Sequence, residues 1–232
     1  MRDQGMDSDY LKATYEARFS DAELRNKQIL WSVLCEEAFQ RYVPEDGTVL
    51  DLGAGYCEFS NAIRARRRIA VDLNPDTAAF AAHGVEVLQT SSVDMHQVAD
   101  ATVDTVFTSN FFEHLPDSQA LLATLGEANR VLRPGGTIVV LMPNIRNLPG
   151  AYWDYLDHHL ALTQHSLSEA LTLSDFEVQR VESRFLPYTV RNTRMPVSQL
   201  TIRAYLAFRP AWRVLGKQML VVARKRDMVE HG

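Results

Sequence analysis

Thr48-Val49-Leu50-Asp51-Leu52 is an apolar run that carries one carboxylate and opens into Gly53-Ala54-Gly55, and Asp72 closes the next apolar run, Ile69-Ala70-Val71. Glycines let backbone approach a bound nucleoside where a side chain would collide. A carboxylate one strand later can accept two hydrogen bonds from ribose hydroxyls. The pair points to an adenosine-containing cofactor. Further along, Asn110-Phe111-Phe112-Glu113-His114-Leu115 sets a carboxylate and an imidazole beyond another apolar run. Tyr152-Trp153-Asp154-Tyr155-Leu156-Asp157-His158-His159 then mixes aromatic rings with two more imidazoles. An imidazole within hydrogen-bond reach of a hydroxyl can serve as a general base near neutral pH. Aromatic side chains with a polar tip suit a sugar ring or a flat organic molecule.

These groups need elements to hold them. A helix is predicted over 20–42, with Ser20 as N-cap and Ile29, Leu30, Val33, Leu34 and Ala38 on its apolar face. Strands are predicted at Thr48–Leu52, Arg68–Asp72, Val85–Thr90, Val103–Ser109 and Thr137–Met142. Helices are predicted at Glu58–Ala65, from Asn74-Pro75-Asp76 through His83, and at Ser118–Leu132. Arg133-Pro134-Gly135-Gly136 reads as a stop and tight turn, and Ser166-Leu167-Ser168-Glu169, just after His165, as a capping box. Phe176–Phe185 and Val214–Arg224 read as two further strands. Strands alternating with helices imply a mostly parallel sheet covered on both faces.

The chain has 232 residues, 46% hydrophobic and 23% charged, a composition for one soluble α/β domain. No apolar run approaches the about 18 residues that span a bilayer, and the first residues lack the apolar core of a secretory signal. Two cysteines, Cys35 and Cys57, provide neither a disulfide framework nor a four-thiolate metal site, so a cytoplasmic setting is expected. The net charge is −5, yet ten Arg or Lys and no acidic residue fall between Arg184 and Arg226, leaving 14 basic against 29 acidic residues elsewhere. That asymmetry reads either as a face for an anionic partner or as arginines paired within the molecule.

The ordered set Val49–Gly55, Val71-Asp72, Ser92-Val93-Asp94-Met95, Asn110–Leu115 and Leu132–Gly136 resembles the class I S-adenosylmethionine-dependent methyltransferases over roughly residues 20–230. The resemblance implies an α/β, Rossmann-like doubly wound, seven-stranded sheet, mostly parallel with the last strand antiparallel and helices on both faces. It implies one domain over 1–232, with an N-terminal helical cover (1–45) and an insertion (186–211) before the last strand. S-adenosylmethionine becomes the cofactor. Gly53, Ala54 and Gly55 meet its amino-acid end, Asp51 its ammonium, Asp72 (with Leu73 beside it) the ribose, Asp94 the adenine amino group with Val93 and Met95 flanking the ring, and the Asn110 carbonyl the region of the reactive methyl. Tyr15 and Arg25 (with Arg18) are candidates to close on its carboxylate.

The same residues have structural readings: Asp51 or Asp72 capping a turn, Ser91 or Asp100 in place of Asp94, Tyr15 and Phe19 sealing the sheet edge, and His114 bracing its loop. Cys57 stands where the family often has a third glycine. A nicotinamide-dependent dehydrogenase is disfavoured, because Glu58 occupies the position where its fingerprint requires glycine.

The implied reaction is O-methylation of a small hydroxylated acceptor or glycan precursor, with His114, His158 and His159 as candidate catalytic residues. The alternatives are N-methylation of a small amine or amino sugar, and a catalytically silent cofactor-binding partner protein. Some quinone-pathway relatives carry a Glu-x-x-Glu-His metal site here; Asn110 replaces its first glutamate, so no metal is expected. The arginines suit an anionic or phosphate-bearing acceptor, or peripheral contact with a lipid-linked substrate. No DNA partner is expected, and the chain is read as a monomer or homodimer.

Overall fold

The computed structural model describes residues 21–188 and 198–226. Its strands are β1 (Thr48–Leu52), β2 (Arg67–Asp72), β3 (Val85–Gln89), β4 (Val103–Ser109), β5 (Leu132–Pro143), β6 (Phe176–Glu182) and β7 (Gln218–Lys225). They form one seven-stranded sheet in the order β3-β2-β1-β4-β5-β7-β6. β1 to β5 pair in parallel, and β7 runs antiparallel to both β5 and β6. This is the expected Rossmann-like arrangement.

Side chains alternate across a strand, so each strand feeds both faces of the sheet. Leu50, Val106, Ile138, Val140, Val221 and Ala223 point into one core, shared with Leu121, Leu125 and Ala128 of α4 (Ser118–Val131) and Leu167 and Leu171 of α5 (Gln164–Leu173). Val49, Phe107, Val139, Leu141, Leu220 and Val222 point into the other. There they meet Leu34, Phe39, Phe59 and Trp212. Leu34 ends α1 (Asp21–Leu34), which continues through a π turn, Cys35–Phe39, and a 3-10 turn, Gln40–Tyr42. Phe59 belongs to α2 (Glu58–Ala62), and Trp212 to α7 (Arg209–Leu215), which follows α6 (Gln199–Ala207). Phe59 stacks on Phe107 with ring centroids 3.7 Å apart, and Trp31 meets Phe107 edge-on. This aromatic group locks α1 against the carboxyl side of β4.

Several boundaries differ from expectation. The helix expected through His83 is only α3 (Thr77–Phe80), because Asn61 and Arg68 capture the backbone at Ala82 and His83 instead. Arg133–Gly136 does not precede β5 but lies inside it: Leu132 and Thr137 both pair with β4, and the residues between bulge out with Gly135 at φ +69°. Val214 belongs to α7 rather than to the last strand. Helix α5 starts one turn early, on a Thr163–Ser166 capping box.

Within the basic segment, Arg203 pairs with Glu36 and Glu37, Arg224 bonds the Gly135 carbonyl, and Lys225 bonds the carbonyls of Asn129 and Leu132. Intramolecular pairing thus accounts for part of it. Among the described residues no helix is long and apolar enough to cross a membrane.

Candidate functional site

The β1–α2 turn is held from beneath by its own amides. Gly53 and Ala54 both donate to the Val71 carbonyl (2.9 and 3.1 Å), and Gly55 donates to Asp72 Oδ2 (2.7 Å). A loop that cradles a pyrophosphate keeps such amides for its ligand; this one has used them within the fold. Gly53 sits at φ +71°, and a Cβ there would lie 2.4 Å from the Phe111 ring. Cys57 keeps a glycine-like backbone, φ +58°, with its side chain fully buried and Sγ 3.7 Å from the Thr77 carbonyl. Burial pushes its thiol up to about 12, so it stays protonated at neutral pH.

Two carboxylates flank the turn. Asp72 ends β2, and its Oδ1 accepts from the Asn74 amide at 2.8 Å while Oδ2 holds Gly55. Burial raises its pKa against the lowering effect of these amides. Asp51 is almost wholly buried in β1, and Ser60 Oγ donates to its Oδ2 at 2.5 Å. Burial pushes its carboxyl up to about 7, opposed by the Ser60 hydrogen bond and aided by Glu58 and Asp72. A carboxyl raised in the folded state binds its proton more tightly there than in the unfolded chain. Its stabilising contribution is complete below the unfolded pKa and is lost as pH rises through about 7. Asp51→Asn is therefore expected to gain stability relative to the wild type between pH about 4 and pH about 7, by on the order of 4 kcal/mol at most. Urea unfolding of both proteins across this range checks it; parallel pH profiles would contradict the assignment.

One cavity of about 330 Å³ joins this turn to the end of β4. Its walls include Asp51, Gly53–Tyr56, Ser109, Asn110, Glu113, His114, Tyr155, His158 and Tyr188. Asn110 turns the chain there at φ +49°, its amide on the Leu141 carbonyl. The 3-10 turn Phe112–His114 follows, so Glu113 is buried and His114 half-buried. The Glu113 carbonyl accepts the amides of His159 and Leu160 (2.8 and 3.1 Å), which pins the distant Tyr155–Leu160 segment against this turn. His114 and His158 meet edge to face with ring centroids 5.1 Å apart. Burial pushes the Glu113 carboxyl up to about 7, partly offset by His114.

Residues 50–140 match the model of a family described as a methyltransferase domain. That stretch forms a methyltransferase domain, and the fold built around it is that of the class I S-adenosylmethionine-dependent methyltransferases. S-adenosylmethionine is the cofactor of this methyltransferase. Its fold is shared with an S-adenosylmethionine-dependent methyltransferase from Archaeoglobus fulgidus (19% identity, 89% of this chain and 100% of that one, TM-score 0.62). It is also shared with one from Thermotoga maritima, a possible histamine N-methyltransferase (17% identity, 94% and 97%, TM-score 0.65). A third is in the complex of the Haloferax volcanii Trm112 methyltransferase activator with a methyltransferase (20% identity, 88% and 92%, TM-score 0.63). No curated protein matches the chain.

The methyltransferase thus gathers Asp51, Gly53, Ala54, Gly55, Asn110, His114 and His158 at one cavity, with Asp72 tied to its glycine turn. His159 is different: its side chain is exposed and lies off the cavity wall. Asp94 is two-thirds exposed and paired with His96. Met95, expected beside the adenine, is instead fully buried in the core, its amide donating to Glu127. Leu73 and Val93 are exposed apolar side chains that follow the carboxyl ends of β2 and β3. Arg25 is exposed and off the wall; Tyr15, Arg18, Phe19, Arg191 and Arg194 lie outside the described residues. Sequence reasoning passed over Lys27, which bonds Glu58 at 3.0 Å and sits over the Tyr56 ring, with Trp31 one turn further on the same wall. The spacing of Lys27, Leu30, Trp31 and Leu34 on one helical face was the available signal.

Proposed function

We propose that this methyltransferase methylates the hydroxyl of a small molecule or glycan precursor. The observation that supports the reading is the single cavity joining the glycine turn to Glu113, His114 and His158. Bound S-adenosylmethionine supplies an electrophilic methyl group on a sulfonium and leaves as a neutral thioether. The residues suit that ligand because they accept where it donates: Asp51 takes its ammonium with the carbonyls of the glycine turn, and Asp72 takes the ribose hydroxyls. Leu73 and Val93 offer apolar faces for the adenine, and Asp94 stands beside Val93 to accept from the adenine amino group.

The acceptor enters on the side of Asn110, Tyr155 and Tyr188. With the cofactor bound, the acceptor hydroxyl would take its methyl group, and the Glu113–His114–His158 group would receive the proton that the hydroxyl gives up. Alignment in the cavity supplies most of the acceleration, because displacement at a methyl group needs little besides proximity and direction.

The test is transfer of labelled methyl from S-adenosylmethionine into a fractionated extract. Label in small molecules or lipid-linked glycans, stable to mild base as an ether is, is the expected result. Label in protein or RNA, or on nitrogen, would overturn the hydroxyl assignment.

A further inference from the structure

We propose that Glu113, His114 and His158 together bind a divalent first-row transition-metal cation on the acceptor side of the cavity. This goes beyond the methyl-transfer reading and does not depend on it.

Ligand atoms from the three side chains, one each, lie within 4.8 Å of one another. Donors around such an ion stand about 3 Å apart, since metal–nitrogen and metal–oxygen bonds are about 2.0–2.2 Å long. An ion would draw the three donors together from the spacing they have here. The set does not use Asn110, whose presence argued against a metal in the sequence, because the third ligand arrives from a segment distant in the chain.

The hydrogen bonds around the imidazoles are those a metal ligand requires. His114 Nδ1 lies 2.9 Å from the Asp157 carbonyl and 3.4 Å from its Oδ2. His158 Nδ1 lies 2.9 Å from the Tyr152 carbonyl. A carbonyl only accepts, so each Nδ1 carries the proton and each Nε2 carries the lone pair. The Asp157 carboxylate beside His114 adds the outer partner that fixes ring orientation and raises ligand basicity.

Glu113 supplies the second, independent observation. Its Oε2 is buried with no hydrogen-bond partner, and the residue is 1% exposed. A buried carboxylate oxygen left unsatisfied is costly, and a cation between it and the two imidazoles would satisfy it. Two nitrogens and one carboxylate favour zinc, iron, cobalt or nickel over magnesium or calcium, which prefer all-oxygen sites. Three protein ligands leave positions open toward the cavity, where an acceptor hydroxyl coordinated to the ion would become more acidic.

The test titrates Zn²⁺, and Co²⁺ as an optical probe, into the full-length chain stripped by chelator, followed by calorimetry and visible absorption. One saturable Zn²⁺ site is expected, not displaced by excess Mg²⁺, with affinity about tenfold or more weaker in His158→Ala and in Glu113→Gln. His83→Ala, which removes an exposed imidazole elsewhere, should leave it unchanged. Circular dichroism verifies that each variant is folded; if His158→Ala is not, His158→Gln replaces it. No saturable site, or one indifferent to both substitutions, overturns the proposal while methyl transfer stands. A bound cation without methyl transfer supports it and overturns the other reading.

Discussion

In Asp72→Ala, affinity for S-adenosylmethionine is expected to fall by about 100-fold or more. Two hydrogen bonds from ribose hydroxyls to a carboxylate are worth about 3 kcal/mol together, and every 1.4 kcal/mol is tenfold. The same substitution also releases the Gly55 and Asn74 amides, which Asp72 holds at 2.7 and 2.8 Å. A purely structural Asp72 would thus lower affinity through a loosened turn, and a second variant separates the two roles. Asp72→Asn keeps one acceptor oxygen of the same size, able to hold one amide, but loses the charge. If the carboxylate binds ribose, Asn loses most of the affinity while its melting temperature stays within a few degrees of wild type. Calorimetric titration with the cofactor, beside thermal melts of both variants, reads these effects. Wild-type affinity in Asp72→Asn would leave Asp72 as a tether for the glycine turn and nothing more.

Gly53→Ala is expected to destabilise the protein by about 2–5 kcal/mol and to abolish measurable cofactor binding. Two causes combine. An alanine at φ +71° sits in the left-handed region, at a cost of about 1–2 kcal/mol. Its Cβ would also approach the Phe111 ring to 2.4 Å, so the ring or the turn must move, at about 1–3 kcal/mol. Phe111→Ala in the same chain removes the collision and leaves the backbone strain. The double variant should therefore recover part of the loss, and a coupling energy of about 1 kcal/mol or more is expected from the double-mutant cycle. Strict additivity would show that the glycine is needed for its backbone alone.

These experiments concern the half of the site that is readable from sequence. Asp51, Gly53 and Asp72 stand at or just beyond the carboxyl ends of short apolar runs, and β4 has in the fold the bounds read from the sequence, Val103–Ser109. Where local preference and tertiary capture disagree, the sequence misleads. Ala78, Ala79, Ala81 and Ala82 favour a helix through His83, yet side chains from Asn61 and Arg68 take the backbone bonds that would continue it. Val214 has strand propensity, but Pro210 opens α7 in the first turn and sweeps it into a helix. The acceptor side was opaque for another reason. Nothing local in His158 says that its ring will meet His114, or that the neighbouring amides of His159 and Leu160 will bond the Glu113 carbonyl. Those are pairings across more than forty residues of chain, and His158 and His159, adjacent and identical in type, come apart only in the fold.

The position of β7 bears on how the protein is made. β6 has its neighbour in β7, and β7 in turn separates it from β5. A ribosome that has delivered everything up to α7 has thus released two strands whose partner still lies in the exit tunnel. Until residues 218–225 emerge and slide between them, β5 and β6 each present an unpaired edge, the kind of surface that recruits other chains. Synthesis of this sheet ends with the closing of a gap, and nascent chains arrested short of that strand should be the ones that chaperones and proteases find.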